Sequence, residues 1–464
     1  MHAPHLSKDL VGIHVWRQTI TQANIDNFYQ EDMNILNPRR YPLGYEDGIQ
    51  RMEFPIMQWL IAATYHVTGN DILVTRLFMF LLSVFGIWGM YNLLYELFHS
   101  KLLSSIGAWS LAFSPCYFYY SINPLPDFMA LIASVWGLVL FFKWKKTKSN
   151  WVLFSSSLLF SLAALTKLPF IIFFIVPGVY ILKNYVFKKD IKSTFILGLL
   201  AIGSSIMPFI WYAIVISEWN GNMVIRGILD NEDSFETLIS YILHHLFSSM
   251  PEFFINYAAL PLFLVGVYFF FKKKGYKNPH FSLLLSLFIV ILLYFLFELN
   301  AIGKVHDYYL FPTIPILFVI VSYGGYHLLQ SKKRWVKTFT VICLITLPLT
   351  CYLRTKNSWN TENPGFNADL YRFRNELRLL IPKDELVVAG NDFTTSIFLY
   401  YIKRKGWTFD KDQLYNDNLE NYINQGAKYL YTDSEAVIKT NSNLIKQKIG
   451  QFGSIQVFEL QANQ

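Results

Sequence analysis

Long runs of apolar residues follow one another from residue 72 to residue 353. Most runs have roughly 17 to 25 residues, the length that an α-helix needs to cross the hydrocarbon core of a bilayer. Polar residues are confined mainly to the short connections between the runs. The pattern predicts about ten membrane-spanning helices, over residues 72–98, 103–120, 125–144, 151–165, 168–183, 194–216, 253–271, 280–299, 309–329 and 335–353.

Lysine and arginine are concentrated in every second connection, which predicts how the helices are oriented. The basic connections are KWKKTK (143–148), KNYVFKKDIK (183–192), KKKGYK (272–277) and SKKRWVK (331–337). Because basic loops remain on the cytoplasmic side of a membrane, residues 1–55 and 354–464 are predicted to lie outside the cytoplasm. Residues 1–18 contain no apolar segment that would serve as a signal peptide or a first helix, so we expect a further span upstream of Met1.

The C-terminal tail has a different pattern. Its short β-branched runs, such as ELVVAG, KYLYTD and SIQVFEL, alternate with helical segments, which is typical of a small α/β domain. The predicted fold class is an all-α multipass membrane protein with a small extracytoplasmic α/β domain at its C-terminus. We divide the chain into a first loop with juxtamembrane helices (1–71), a transmembrane bundle (72–353) and the C-terminal domain (354–464).

The composition agrees with a membrane protein. Apolar residues make up 53% of the chain and charged residues 16%, whereas soluble domains carry about 25% charged residues. The net charge of +8 comes mostly from the basic loops, so it indicates membrane topology and not a nucleic-acid-binding surface. Cys116, Cys343 and Cys351 lack the spacing of metal ligands or of a pair, so neither a disulfide nor a redox role is inferred from them.

Polar residues collect at the ends of the apolar runs on the predicted outer face. Ionisable residues are costly near hydrocarbon and are functional candidates for that reason. Carboxylates suit acid–base catalysis and cations suit an anionic leaving group, so the set predicts group transfer from a membrane-embedded phosphate carrier. The candidates are His14, Trp16, Arg17, Gln18, Asp47, Glu53, Asp127, Lys167, Lys304, His306, Asp307, Tyr308 and Tyr309.

A structural role is the alternative for most of these residues. Asp127 follows a proline and suits a helix N-terminus, and Lys167 suits an interfacial lysine whose charged end reaches water. Residues 306–307 fit an ordinary loop pair, the aromatic candidates fit an interfacial belt, and Arg17 fits an ion pair that anchors the loop. Glu53 is the hardest to explain in this way, because a solvated acid would serve equally well further from the proline that follows.

The order of these motifs resembles that of the GT-C glycosyltransferases, in particular the branch of protein O-mannosyltransferases and aminoarabinose transferases (glycosyltransferase family 39-like). In that family a long acidic first loop ends in a glutamate or histidine before Pro-Pro-Leu and a juxtamembrane helix, which residues 52–69 resemble. Arg76-Leu77, NPLPDF, LTKLP and YYLFP match later motifs in the same order. The resemblance covers about residues 10–330 and implies a GT-C-like helical bundle.

The resemblance also implies a transferase of the inner (plasma) membrane that uses a polyprenyl-phosphate-linked sugar donor. Cations would hold the donor phosphate, namely Arg17, Lys167 and Lys304, with Arg76 as a weaker candidate. A carboxylate would deprotonate the hydroxyl of a lipid, glycan or protein acceptor as it attacks the anomeric carbon, inverting the configuration. The resemblance allows a divalent metal, but no ligand cluster of clear spacing indicates one, and no other cofactor is predicted.

The sequence departs from the family at one important place. Typical members carry an Asp-Glu pair soon after the first span, and one of these acids is assigned the catalytic role. Here the comparable place reads HVWRQ and contains no acid. The catalytic acid must then be Glu53, Asp47 or Asp127, or His14 must serve as the base, and Glu53 is our first choice.

Two other functions stay open at this point. A transporter or flippase of a lipid-linked glycan intermediate predicts ionisable residues in the middle of spans and symmetric halves, whereas the charges here cluster at one face and no internal repeat is visible. A non-catalytic GT-C-like protein of envelope assembly would explain the missing Asp-Glu pair.

Overall fold

The computed structural model describes residues 1–44, 48–184, 191–219 and 226–461. The chain forms two compact units. The membrane unit comprises Met1, Met52–Phe54 and Arg76–Lys356, and the sheet unit comprises His2–Arg51, Pro55–Thr75 and Asn357–Gln464. Most of the first loop and the C-terminal domain, which the sequence analysis treats as separate parts, therefore belong to one unit.

Helices make up most of the chain as far as residue 356. In chain order they are α1 (Val15–Gln30), α2 (Ile56–Thr68), α3 (Ile72–Phe98), α4 (Lys101–Ala112), α5 (Pro115–Tyr120), α6 (Pro126–Thr147), α7 (Asn150–Thr166), α8 (Ile175–Lys183), α9 (Ile191–Val215), α10 (Phe235–His244), α11 (Leu260–Lys272), α12 (Pro279–Phe297), α13 (Leu299–Ile302), α14 (Ile314–Leu329) and α15 (Arg334–Thr355). Segments Leu168–Phe174 and Asp307–Thr313 are 3₁₀-helical, and His245–Ile255 is π-helical.

The membrane class predicted from the apolar runs is confirmed. Among the described residues, five helices are long and apolar enough to cross a membrane, and a bent pair gives a sixth if it is counted as one span. The five are Ile72–Phe98, Pro126–Thr147, Pro279–Phe297, Asp307–Leu329 and Arg334–Thr355, and the bent pair is Phe235–Ile255 with Leu260–Lys272.

One predicted span is replaced by two shorter helices. The apolar run over 103–120 forms α4 and α5 instead of one continuous helix. The side chain of Ser114 accepts a hydrogen bond from the Tyr117 N–H, and Pro115 occupies the first turn of α5. A serine cap followed by proline starts a new helix, and the apolar pattern alone did not reveal this break.

Small residues allow helices of the membrane unit to approach closely. A Cβ atom at Gly324 of α14 would collide with the backbone of Leu262 in α11, and one at Gly266 would collide with the backbone of Ile320. On α6, a Cβ atom at Gly137 would lie 2.7 Å from the ring of Phe160 in α7. Close packing at small residues is a usual source of helix association in membranes. Here it holds α11 against α14 and α6 against α7.

The sheet unit contains the predicted small α/β domain, which is confirmed. Its remaining elements are α16 (Ala368–Arg372), α17 (Arg374–Leu379), β1 (Leu386–Gly390), α18 (Ile397–Ile402), β2 (Gly406–Thr408), α19 (Asn416–Asn424), β3 (Ala427–Thr432), α20 (Glu435–Thr440), β4 (Ile445–Phe452) and β5 (Ile455–Leu460). The strand order is β2-β1-β3-β5-β4. Strand β1 is parallel to β2 and β3, and β5 is antiparallel to β3 and β4.

The first loop extends this sheet. Pro42 forms a parallel bridge with Gly406 of β2, and the Leu43 N–H donates to the Gly406 carbonyl at 2.8 Å. Alternate residues of each strand face opposite sides, so Val387 packs with α18 in one core while Val388 packs with α19 and α20 in another. Apolar residues of α1 join the first of these cores, and the N-terminal segment is therefore part of the folded sheet unit.

Two acids of the first loop, Asp26 and Glu31, stabilise this unit. Asp26 of α1 is 1% exposed and forms an ion pair with Lys403, and it accepts a hydrogen bond from Gln22 Nε2 at 3.0 Å. Glu31 pairs with Lys405, with 2.6 Å between Nζ and Oε1. These carboxylates hold α1 to the residues between α18 and β2, which explains part of the acidic character of the loop.

Candidate active site

Asp127 and Lys167 form a buried ion pair in the membrane unit. Asp127 lies in the first turn of α6, whose N-cap is Leu125, without a side-chain hydrogen bond at the cap. Lys167 follows the last residue of α7 in an extended conformation, and its Nζ lies 3.5 Å from Asp127 Oδ1. The Asp127 side chain is 1% exposed and that of Lys167 is 12% exposed, so the pair is only weakly screened by water.

The rings of Tyr308 and Tyr309 flank the lysine. Lys167 Nζ lies 5.8 Å from the centroid of the Tyr308 ring and 5.3 Å from that of Tyr309, within the range of a cation–π interaction. The two rings are stacked, with centroids 5.0 Å apart, and Tyr308 is buried. The lysine ammonium group thus contacts one carboxylate and two π-faces. It has little contact with water, so a second anion that binds it displaces little further water.

His306 and Asp307 each have a separate partner. Asp307 begins the 3₁₀-helix, and its Oδ1 accepts a hydrogen bond from the Tyr120 hydroxyl at 3.0 Å. His306 Nδ1 lies 2.8 Å from the carbonyl oxygen of Ala301. The imidazole also contacts both tyrosine rings that flank the lysine, at 5.9 Å between centroids. The HDYY sequence therefore forms one wall of the space around the Asp127–Lys167 pair.

Arg76 supports the loop that precedes Asp127. It lies in α3 and is fully buried. Its Nη1 donates to the carbonyl of Ile122 at 3.1 Å and to Asn123 Oδ1 at 2.6 Å, and Asn123 Nδ2 donates to the Tyr119 carbonyl at 2.8 Å. These bonds hold the NPLP turn, so Arg76 has a positioning role that the sequence motif alone did not distinguish from phosphate binding.

Glu53 is placed at the same end of α7 as the lysine. The next residue, Phe54, donates its N–H to the carbonyl of Leu165 at 3.0 Å, two positions before Lys167. The indole N–H of Trp211 donates to the carbonyl of Met52, the residue before Glu53, at 3.0 Å. The Glu53 side chain is half-buried, so it remains accessible while its backbone is fixed on both sides.

The HVWRQ candidates lie in the sheet unit, at the start of α1. His14 is the N-cap residue in the left-handed conformation, with φ 52°. Arg17 and Gln18 are buried, and Gln18 Nε2 donates to the Ile13 carbonyl at 2.7 Å. Trp16 is half-buried. These four candidates thus belong to the sheet unit, and Asp127 and Lys167 belong to the membrane unit.

Two further candidates are placed differently. Lys304 is exposed and belongs to none of the ion pairs formed by the described residues. Asp47 lies outside the described residues. Within the ranges that the structure describes, no group of three His, Cys, Asp or Glu side chains is placed to hold a metal ion.

Two polar residues at the end of α12 are not among the candidates predicted from the sequence. Glu298 directly follows α12 and is 4% exposed, and Tyr294 lies one helical turn before it. Glu298 ends the apolar run FLFELN. Like Asp127, it is an ionisable residue next to hydrocarbon, which makes it a functional candidate. Its segment lacks the prolines and neighbouring charges that mark the other candidates.

The fold is that of the GT-C glycosyltransferases, as the motif order predicted. ArnT from Cupriavidus metallidurans bound to undecaprenyl phosphate is similar with a TM-score of 0.68 and 10% identity, over 98% of this chain and 94% of that chain. AglB from Archaeoglobus fulgidus, in complex with an inhibitory peptide and a dolichol-phosphate, has a TM-score of 0.60 and 12% identity, over 98% and 71%. The mycobacterial arabinofuranosyltransferase AftD has a TM-score of 0.56 and 12% identity, over 98% and 38%.

The sequence comparison points to the same branch. Residues 53–212 match the family described as dolichyl-phosphate-mannose-protein mannosyltransferase. This segment begins at Glu53 and includes Asp127 and Lys167. No curated protein matches the chain by sequence. The predicted likeness to the protein O-mannosyltransferase and aminoarabinose transferase branch of the GT-C superfamily is thus confirmed.

Proposed function

We propose that the protein is an integral membrane glycosyltransferase that moves a sugar from a polyprenyl-phosphate-linked donor to an acceptor on the extracytoplasmic face of the plasma membrane. The observation that carries the proposal is the desolvated Lys167, held between Asp127 and two tyrosine rings at the end of α7 where Glu53 is anchored. The ligands named for ArnT and AglB, undecaprenyl phosphate and a dolichol-phosphate, support a lipid phosphate as part of the substrate.

Lys167 is the proposed partner of the donor phosphate. The phosphate gains negative charge as its bond to the sugar breaks, and a cation fixed in a poorly solvated site stabilises that charge more than water does. Asp127 holds the ammonium group at 3.5 Å, and the tyrosine rings restrict it further. The lysine is therefore preorganised, which is the property that transition-state stabilisation requires.

Glu53 is the proposed general base. Asp127 is paired with Lys167, and Glu53 is a half-buried carboxylate on an anchored segment at the same end of α7. Glu53 takes the proton of an acceptor hydroxyl while the acceptor oxygen forms a bond to the anomeric carbon. The bond from that carbon to the phosphate oxygen breaks, its electron pair leaves with the polyprenyl phosphate, and the configuration of the sugar is inverted.

The test uses the purified full-length protein with a panel of undecaprenyl-phosphate-linked sugars. Release of undecaprenyl phosphate and transfer of label to lipid, glycan and peptide acceptors are measured. Lys167→Met is expected to lower turnover about 100-fold, whereas Lys332→Met, at an exposed lysine, is expected to have no effect. Equal turnover by both variants, or no turnover of any donor by the wild type, would contradict the proposal.

A further inference from the structure

Tyr294 and Glu298 bring two buried polar atoms to the end of α12. Glu298 is 4% exposed, and its Oε2 has no hydrogen-bond partner among the described residues. The Tyr294 hydroxyl is also buried and, in the same part of the chain, makes no hydrogen bond. The Glu298 N–H donates to the Tyr294 carbonyl at 2.9 Å, so the two side chains leave the helix one turn apart on the same face.

This pair adjoins the candidate site. Helix α12, which contains Tyr294 and ends just before Glu298, packs against the 3₁₀-helix Asp307–Thr313. That 3₁₀-helix carries Tyr308 and Tyr309, whose rings flank Lys167. The pair therefore adds two buried polar groups beside the 3₁₀-helix that flanks Lys167.

The chemistry of the two groups selects their ligand. A carboxylate accepts hydrogen bonds, and a phenol hydroxyl both donates and accepts them. Buried polar atoms without partners cost free energy, so a ligand that satisfies both of them binds preferentially. Sugar hydroxyls offer donors and acceptors together, so they satisfy the Glu298 carboxyl whether or not it carries a proton. A phosphate offers only acceptors and is repelled once this carboxyl is ionised.

We propose that Tyr294 and Glu298 bind hydroxyl groups of the donor sugar and determine which sugar the protein accepts. This inference rests on the proposed function. The donor phosphate lies at Lys167 and the sugar ring extends past the tyrosine rings toward α12. The accepted sugar then carries two hydroxyl groups on the side that faces Tyr294 and Glu298.

The experiment compares two probes on the full-length protein in lipid nanodiscs. One is undecaprenyl phosphate, which lacks a sugar, and the other is a set of undecaprenyl-phosphate-linked hexoses and pentoses together with their monodeoxy analogues. Binding and turnover are measured for Tyr294→Phe and Glu298→Gln. The matched controls are Tyr276→Phe and Glu232→Gln, at exposed residues of the same unit.

We expect both variants to bind undecaprenyl phosphate as the wild type does and to bind the best sugar-bearing donor about tenfold more weakly or worse. The deoxy analogue that lacks the recognised hydroxyl should bind wild type and Glu298→Gln equally. If the variants bind both probes equally weakly, the residues have a role in folding or in binding the phosphate. If neither variant binds the sugar-bearing donor more weakly, the buried atoms contact only water. Either result overturns this inference, while failure of the wild type to bind any probe overturns the proposed function and this inference with it.

Discussion

Lys167 Nζ lies 3.5 Å from Asp127 Oδ1, and neither side chain exposes more than 12% of its surface. Loss of the lysine would leave a buried carboxylate without this cation, which typically costs about 3 to 5 kcal/mol. We therefore expect Lys167→Met to lower the unfolding temperature as well as the affinity for undecaprenyl phosphate. Thermal unfolding and lipid binding of the purified protein measure the two effects.

The double variant Asp127→Asn with Lys167→Met separates stability from function. It removes both charges, and replacing a whole buried pair is often nearly neutral for stability. We expect the unfolding temperature to recover most of its wild-type value while binding of the lipid phosphate stays lost. Recovery of binding together with stability would show that the lysine has only a structural role.

Glu53→Gln tests the proposed base. Glutamine keeps the shape of the side chain but does not accept a proton, and loss of a general base typically lowers turnover by about 100-fold to 10,000-fold. Because the segment is held through backbone groups at Phe54 and at the residue before Glu53, we expect the unfolding temperature to stay unchanged. Turnover of the best donor and the unfolding temperature are measured for Glu53→Gln, with Glu232→Gln as the control. Turnover by Glu53→Gln above one tenth of the wild-type value would exclude Glu53 as the base.

The stability of the protein should depend on the protonation of Glu298. Burial raises the pKa of the Glu298 carboxyl from 4.5 to about 7. Between these values the folded protein retains a proton that the unfolded chain has lost, so stability falls as the pH rises through this window. Glu298→Gln does not titrate, and we expect it to remove this part of the decline and to be more stable than the wild type above about pH 7.

Unfolding temperatures measured from about pH 5 to pH 8 check this expectation. Glu232→Gln should retain the wild-type dependence on pH, because that acid is exposed. Identical pH dependence in Glu298→Gln and the wild type would show that Glu298 does not titrate in this range.

Lys403 is expected to stabilise the sheet unit through Asp26. The carboxylate is 1% exposed and the lysine side chain 27%, so Lys403→Met should cost roughly 2 to 4 kcal/mol. Lys428→Met is the matched control, since Lys428 pairs with Glu385 on the surface with 61% of its side chain exposed, and surface pairs contribute little. Limited proteolysis between α18 and β2 measures the difference, and equal protection of the two variants would contradict it.

The sequence predicted the parts of the fold that depend on local patterns. Apolar length predicted spans such as Ile72–Phe98, whose observed bounds agree with the prediction, because a helix must satisfy its backbone within the bilayer. Alternating β-branched runs predicted the small α/β domain. The order of NPLPDF, LTKLP and YYLFP predicted the GT-C fold and directed attention to Asp127 and Lys167.

The role of each charged residue depended on the tertiary structure. Asp26 and Asp127 are both acids on the predicted outer face, yet one pairs with Lys403 in the sheet unit and the other with Lys167 in the membrane unit. Glu298 ends an apolar run, which is a sequence signal, but only packing shows that its carboxyl is buried. Local periodicity is set by bonds within an element, whereas the partner of a charge is set by chain segments far away in sequence. The sequence alone therefore determined the elements and their class, and the tertiary structure decided which polar groups meet.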